Sequence, residues 1–235
     1  VLLLLPMVGV VLVLLAPERW ARWLTLVVAT AEFVLALGLW WAFDPAVGGM
    51  QFTTSVPWLP EFGISYSIGM DGLSLFMILL ATAMMPLLVW GSWFAIDTKL
   101  RGYYALLLAL KTGMIGVFVS MDLFLFYCFW ELLLIPMYFL IGTWGSANRL
   151  YAATKFVVYT FAGSVLMLVA IIAMVVTIGK GTGEYSFAYD HLVQNRDLLA
   201  PYAPYLFTAF ALAFAVKVPI FLLHTWLPDA HVEAP

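Results

Sequence analysis

The feature that most constrains this chain is a series of long apolar runs that contain almost no charged residues. Hydrophobic residues make up 65% of the sequence and charged residues only 10%, whereas an ordinary globular domain has about 25% charged residues. A water-soluble fold cannot cover its surface with so few charges. About 20 consecutive apolar residues cross the hydrocarbon core of a bilayer as one helix. The sequence therefore predicts an all-α, polytopic transmembrane helix bundle.

The apolar runs divide the chain into seven predicted membrane helices. The first run lacks the basic start and the small-residue cleavage site of a secretory signal, so we interpret it as a membrane helix. The chain begins at Val1 without a methionine and stops at Pro235, and we expect both ends to be cut. The predicted spans are 1–16, 21–43, 72–96, 101–120, 122–142, 152–178 and 204–227.

Positive charge in the loops predicts the orientation, because short cytoplasmic loops concentrate Lys and Arg. The loops after the first, third and fifth spans, with the start of the sixth, carry six such residues, and the opposite loops carry two. The amino terminus is therefore expected outside. Segment 44–71 is expected to pack on the outer surface, and segment 179–203 to form a short amphipathic or extended piece there. The six are Arg19, Arg22, Lys99, Arg101, Arg149 and Lys155, and the two are Lys180 and Arg196.

Several classes of function do not fit this composition. The net charge of −3 leaves no basic face for nucleic acid. Cys128 is the only cysteine, so no disulfide framework and no thiolate set for an iron–sulfur cluster or structural zinc is expected. No GxGxxG or GxxxxGK[ST] motif occurs, so NADH and ATP are not expected to bind this polypeptide. We therefore expect no cofactor in this chain, and any electron-transfer centre on another one.

Four ionisable residues fall inside the predicted spans: Glu32, Lys111, Glu131 and Lys217. A charge at the centre of a membrane helix costs roughly 2.5–3.5 kcal/mol on insertion scales, so such residues usually face protein or water and usually have a function. Glu131 and Lys217 each lie roughly 15–20 Å along their spans at about 1.5 Å per residue. That depth is near the middle of a hydrocarbon layer about 30 Å thick, and we predict that the two groups occupy the same level.

The seventh span is predicted to break beside its lysine. Pro219 follows Lys217 closely, and proline has no N–H to donate and disturbs the preceding turn. Backbone carbonyls freed at this depth are tolerated where they line a cavity or are buried in protein, and broken helices frame ion sites in transporters. The polar run LLHTWLPDAH, with His224 and His231, predicts a half-channel to the cytoplasm, and Asp229 is expected to cap a helix start there.

Four segments of the sequence resemble one known family. They are FWELLLIPMYFLIGTWG (129–145), RLYAATKFVVYTFAGSVLMLVAI (149–171), FAVKVPIFLLHTWLPDAH (214–231) and MDGLSLFMILL (70–80). Together they resemble the antiporter-like M subunit, or chain 4, of respiratory complex I, the proton-pumping NADH:quinone oxidoreductase. Sister antiporter-like subunits and multisubunit sodium/proton antiporters share the glutamate, the lysine and the broken helix. The sequence LLLIPMYFLIGTWG after the glutamate and the YAATKF run are typical of the M type.

The resemblance implies a fold of about fourteen helices with two inverted repeats of five. This chain would then hold helices 1–3 with outer loop 44–71 in residues 1–100, and the first half-repeat, helices 4–7, in residues 101–235. It also implies that Glu131 pairs with Lys217 and works with histidines on a hydrated axis, which map onto His224 and His231. Lys111 has no role in that pattern, and it either snorkels or marks an unusual relative. Glu32 is expected to contact a neighbouring subunit or to have a functional role.

The implied function is proton translocation through this Glu/Lys/His relay, driven by redox chemistry on other subunits. NADH, flavin, iron–sulfur clusters and quinone would reside on those partner subunits. The implied partners are other membrane-arm subunits, including sister antiporter-like ones, and the lipid of a bacterial plasma membrane. Two alternatives stay open: a subunit of a multisubunit cation/proton antiporter driven by an ion gradient, and a scaffold without transport.

Overall fold

A computed structural model describes residues 1–235. Ten α-helices account for most of the chain, and one small hairpin of two strands interrupts them. Three short 3₁₀ helices, Glu18–Trp20, Pro60–Phe62 and Arg196–Tyr202, join neighbouring elements. The helices are α1 Leu4–Leu15, α2 Ala21–Ala42, α3 Gly72–Gly91, α4 Leu100–Val119, α5 Leu123–Leu132, α6 Leu134–Trp144, α7 Arg149–Thr182, α8 Tyr189–Gln194, α9 Ala203–Lys217 and α10 Trp226–Glu233, and the strands are β1 Gln51–Leu59 and β2 Ile64–Met70.

Six helical segments are long and apolar enough to cross a membrane, and they correspond to the second to seventh predicted spans. The chain is therefore an integral membrane protein. Helix α1 has only 12 residues, or roughly 18 Å, so the total of seven spans stays a prediction. Helix α7 has 34 residues, or roughly 51 Å, and it extends well beyond a hydrocarbon layer of about 30 Å.

The sequence predicted the fifth span as one continuous helix, but in the structure this span is interrupted. Helix α5 ends at Leu132 and α6 begins at Leu134, with Leu133 between them. Pro136 explains the interruption, because it cannot donate a backbone N–H to the carbonyl of Leu132 and its ring crowds that carbonyl. The direction of the chain is kept, and the two helices still form one membrane span, Leu123–Trp144.

The segment between α2 and α3 contains the antiparallel β1–β2 hairpin, which the sequence analysis did not predict. Gly63 occupies the turn with φ of 69°, and a Cβ there would lie 1.9 Å from the carbonyl oxygen of Tyr185. Only glycine fits this position. The hairpin is bound to two segments that connect helices, since the N–H of Met121, between α4 and α5, donates to the Ser67 carbonyl and the N–H of Phe187, between α7 and α8, donates to the Gly63 carbonyl.

Asp122 fixes the start of the helix that carries Glu131. Its carboxylate is fully buried and accepts hydrogen bonds from the backbone N–H groups of Phe124 and Leu125 at the start of α5. The same carboxylate accepts bonds from the N–H and the hydroxyl of Ser65 in strand β2. Asp122 is thus both the N-cap of α5 and the link between the hairpin and the bundle.

Glycines let α4 and α7 approach the helices of the site closely. A Cβ at Gly116 of α4 would lie 2.2 Å from the Phe129 ring, and one at Gly113 would lie 2.7 Å from the Leu133 side chain. Helix α7 approaches α9 in the same way, because Gly163 faces Val216. The core formed by these contacts holds Glu131 and Lys217 on neighbouring helices.

Candidate functional site

Glu131 lies in the last turn of α5, one residue before the helix ends. Its Oε1 atom is buried and has no hydrogen-bond partner. The Tyr127 side chain, one helical turn earlier, lies near both Glu131 and Ser164 of α7. A carboxyl group in this position is enclosed by protein, yet part of its hydrogen-bonding capacity is unused, so it can accept a new partner.

Helix α9 ends at Lys217, as the sequence predicted, and the backbone contacts show why. The N–H of Ile220 donates to the carbonyl of Ala215 at 2.8 Å, because Pro219 has no N–H to offer that carbonyl. The carbonyl of Val216 is left free by this shift and accepts the indole N–H of Trp226 at 2.9 Å in a buried bond. The carbonyl that the break leaves free therefore accepts a hydrogen bond from a side chain of α10.

Lys217 and Glu131 are neighbours without being an ion pair. The Lys217 ammonium lies over the Trp130 ring, 5.1 Å from the ring centroid. Glu131 is the acidic group close enough to attract that ammonium, but no N···O distance of 4.0 Å or less joins them. The fold thus places the predicted acid and base close to each other, but the carboxylate and the ammonium are not in contact.

A cavity of about 490 Å³ contacts both Lys217 and His231. One water occupies about 30 Å³ in the liquid, so this space is large enough to hold several waters. Its wall is mostly apolar and comes from five elements: α4, α6, α7, α9 and α10. We call it the Lys217 chamber, and it is lined by Leu110, Met114, Leu133, Met137, Phe156, Lys217, Trp226, Leu227, Ala230, His231, Ala234 and Pro235.

The two predicted histidines occupy different environments. His231 is exposed and lies on the wall of the Lys217 chamber. His224 lies in the non-helical segment after the break, where its Nδ1 atom is buried without a partner and its ring stacks on Phe221 at 5.8 Å. The structure therefore brings Lys217 and His231 to one cavity and leaves His224 outside its wall.

Helix α10 is fastened to the end of the bundle where α6 meets α7. The Asp229 carboxylate forms an ion pair with Lys155 of α7 at 2.6 Å. It does not cap α10, whose first turn follows Thr225 without a side-chain cap, so the capping prediction was wrong. Glu233 adds two contacts, because its carboxylate accepts the Asn148 N–H and its carbonyl accepts the Ser146 N–H. These contacts fix the part of the chain that carries His231.

Glu32 and Lys111 form a second buried acid–base pair, with 2.7 Å between Lys111 Nζ and Glu32 Oε2. The side chains are 0% and 2% exposed. The snorkelling interpretation of Lys111 was wrong, because the ammonium is enclosed by the bundle. The expectation that Glu32 contacts a neighbouring subunit was also wrong, since its partner is within this chain.

Sequence reasoning missed this pairing, although a signal for it existed. Glu32 is the only acid in its apolar span, and Lys111 is the only base in the middle of another. Two lone opposite charges inside a membrane are expected to find each other, since each is costly when unpaired. Pro136 was likewise visible in the sequence, and it accounts for the break next to Glu131.

Comparison with known proteins gives a consistent result. Residues 120–235 match a family model described as "NADH:quinone oxidoreductase/Mrp antiporter, TM". The NADH-quinone oxidoreductase subunit M of Rhodobacter capsulatus is 42% identical over 226 residues, which covers 94% of this chain and 44% of that protein. The chain thus spans less than half the length of such curated relatives.

Solved structures with the same fold include members of two kinds of membrane complex. A chain of respiratory complex I from Thermus thermophilus with bound NADH superposes with a TM-score of 0.84 at 31% identity, covering 99% of this chain and 46% of that one. A chain of the Mrp complex from Dietzia sp. DQ12-45-1b superposes with a TM-score of 0.83 at 22% identity, covering 99% and 25%. The second likeness concerns the fold alone.

Proposed function

Because this chain belongs to the NADH:quinone oxidoreductase/Mrp antiporter family of membrane proteins, we propose that it is a proton-translocating, membrane-arm subunit of respiratory complex I. The names of relatives at about 40% identity support complex I over the alternative, a cation/proton antiporter. The Mrp complex supports only the fold, since its chain is 22% identical.

The observation that carries the proposal is the position of Glu131 and Lys217. Each lies in the last turn of a helix that is interrupted by proline, and the two groups attract each other without contact. An interrupted helix can shift its end without breaking its remaining hydrogen bonds. The site therefore allows the distance between the Glu131 carboxylate and the Lys217 ammonium to change.

The relay works by making and breaking this contact. When Glu131 approaches Lys217, its negative charge stabilises the ammonium, and Lys217 takes up a proton. When Glu131 moves away, the ammonium loses that stabilisation in a poorly solvated site, and it releases the proton to the Lys217 chamber. His231 on the chamber wall accepts the proton next, and His224 serves as a further proton-holding group beyond the break.

The energies are of the right size for this work. Moving one charge through a membrane potential of 100 mV costs about 2.3 kcal/mol. A change of one pKa unit is worth about 1.4 kcal/mol, so a change of roughly two units offsets 100 mV. Making or breaking one close contact between buried opposite charges supplies a change of that order.

The driving force comes from partner subunits in this proposal. NADH, flavin, iron–sulfur clusters and quinone reside there, and this chain supplies no redox site. Neighbouring membrane-arm subunits, including sister antiporter-like ones, transmit the redox event to Glu131. The complex lies in a bacterial plasma membrane, with the amino terminus of this chain outside. Residues 1–100 supply the leading helices and residues 101–235 the first half-repeat.

The test is to replace Glu131 by Gln and Lys217 by Ala in the complete subunit within the assembled complex. Inverted membrane vesicles are energised with NADH, and the rates of proton uptake and of quinone reduction are measured together. Glu184→Gln, an exposed acid in the outer loop, is the matched control. We expect near-complete loss of proton uptake for the two site variants with normal assembly. Proton uptake that equals the control in both variants would overturn the proposal.

A further inference from the structure

The Glu32–Lys111 pair has no part in the relay described above, yet it has the composition of a proton site. Lys111 is near the middle of α4 and Glu32 near the middle of α2. At about 1.5 Å per residue, Lys111 lies roughly 12 Å from the end of its helix, and Glu131 lies equally far from the adjoining end of α5. The two pairs are therefore at a similar level in the membrane.

Stability alone does not account for this pair. Replacing a buried ion pair by apolar residues of similar volume is often neutral or stabilising, because the desolvation of two charges offsets their attraction. The 2.7 Å contact is also the only polar contact that either side chain makes with another residue of this chain. The ammonium has three N–H donors and the carboxylate has several acceptor sites. A pair with this much unused capacity is poorly suited to hold its charges permanently.

The pair lies next to the Lys217 chamber. Lys111 lines a second cavity of about 220 Å³ between α3 and α4. Two of its lining residues, Leu110 and Met114, also line the Lys217 chamber. They lie about one turn apart on the helix that carries Lys111, so the two spaces share part of one wall. Methionine is flexible and changes conformation easily, which makes Met114 the movable part of this shared wall.

We propose that Glu32 and Lys111 are a second proton-exchanging pair, which takes protons from the Lys217 chamber and returns them to it. This inference rests on the proposed function of that chamber. In the exchange, an N–H bond of the Lys111 ammonium breaks and an O–H bond forms on Glu32. The neutral amine then takes up a proton that hydronium carries from the Lys217 chamber past Met114, which leaves water. When Glu32 gives up its proton again, the pair returns to its charged state, and no oxidant or reductant is needed.

The test separates proton exchange from a structural role by keeping the charge and removing the exchange. Lys111→Arg keeps a positive partner for Glu32, but a guanidinium does not lose its proton in a protein. The double variant Glu32→Gln with Lys111→Met removes both charges and leaves no unpaired one. Thr112→Val is the matched control, because Thr112 is the buried neighbour on α4 whose hydroxyl bonds only to the Leu108 carbonyl.

Each variant is made in the full-length subunit, and membranes with equal amounts of assembled complex are compared. NADH-driven proton uptake is measured, with NADH:ferricyanide reduction as the readout of assembly. We expect proton uptake to fall at least about tenfold in Lys111→Arg and in the double variant, since a positioned acid or base contributes at least that much. Thr112→Val stays at the wild-type rate.

Wild-type proton uptake in assembled Lys111→Arg would overturn the inference and assign the pair to structure. If Lys111→Arg does not assemble, the double variant provides the test. Undiminished proton uptake in the double variant would also overturn the inference. The variant Glu131→Gln in the same series distinguishes a failure of this inference from a failure of the proposed function. Loss in Glu131→Gln with no loss at Lys111 overturns only this inference, whereas undiminished uptake in Glu131→Gln overturns the proposed function itself.

Discussion

The ammonium of Lys217 lies over the indole ring of Trp130, 5.1 Å from its centroid. Trp130 immediately precedes Glu131, so the ring and the carboxylate compete for one cation from adjacent positions on α5. A desolvated cation–π contact is worth up to about 2 kcal/mol. The ring therefore stabilises the arrangement in which the lysine and the glutamate are apart.

Replacing Trp130 by Leu should shift Lys217 towards Glu131 and slow proton release. A loss of about 1–2 kcal/mol corresponds to roughly a 5- to 30-fold change in the balance between the two arrangements. NADH-driven proton uptake is expected to slow by up to that factor, and Trp130→Phe, which keeps an aromatic face, should slow it less. Equal rates in Leu and Phe variants would show that the ring face has no part in the relay.

Trp226→Phe should destabilise the broken helix, because the carbonyl of Val216 loses the indole N–H that it accepts. An unpaired buried carbonyl costs about 1–3 kcal/mol. The expected result is a lower melting temperature of the purified complex. Trp41→Phe, at a position 77% exposed to the surroundings of the bundle, is the control for loss of ring size. Equal melting temperatures in both variants would argue against this role for Trp226.

Asp122→Ala should loosen the β1–β2 hairpin and the start of α5 together. The substitution leaves three backbone N–H donors without their acceptor, those of Ser65, Phe124 and Leu125, of which the first two are part-buried and the third is buried. Loss of an N-cap alone costs about 1 kcal/mol, and the unpaired donors add to it, giving about 2–3 kcal/mol in all. Limited proteolysis should then cut within 51–70 faster than in wild type. An unchanged cleavage rate would contradict the linking role of Asp122.

Asp71 should make the start of α3 sensitive to acid. The backbone N–H of Ser74 donates to its carboxylate, and this bond lowers the pKa of Asp71 below its ordinary value. A lowered pKa in the folded state means that the stabilisation is present above the unfolded value of about 3.9 and is lost as the pH falls through the folded one. Asp71→Ser keeps an N-cap without a titrating group. Its melting temperature should fall less than that of wild type below about pH 4, and parallel curves would contradict this assignment.

The sequence predicted correctly those features that depend on residues within a single span. Apolar runs set the positions of the six membrane helices, and Pro219 set the break after Lys217. The depth of Glu131 and Lys217 along their spans indicated their proximity, because depth in a membrane is a shared coordinate. The break after Glu131 was also encoded, by Pro136, but the strong hydrophobicity of the run favoured a single helix.

The features that sequence analysis missed depend on contacts between distant segments. Strand β2 alternates apolar and polar residues over Ile64–Ile68, but strand β1 has no such pattern, and the hairpin is held by contacts with Asp122 and Phe187 from later in the chain. The pairing of Glu32 with Lys111 depends on which helix packs beside α2. Periodicity within either helix gives no information about its neighbour.

The most direct measurement of the central claim is a double-mutant cycle on Glu131 and Lys217. Glu131→Gln, Lys217→Ala and the double variant are compared by NADH-driven proton uptake at equal amounts of assembled complex. Groups that act as one unit are strongly non-additive, so we predict that the double variant loses no more uptake than either single variant. Losses that multiply in the double variant would mean that the acid and the base act independently, which would contradict a relay based on their separation.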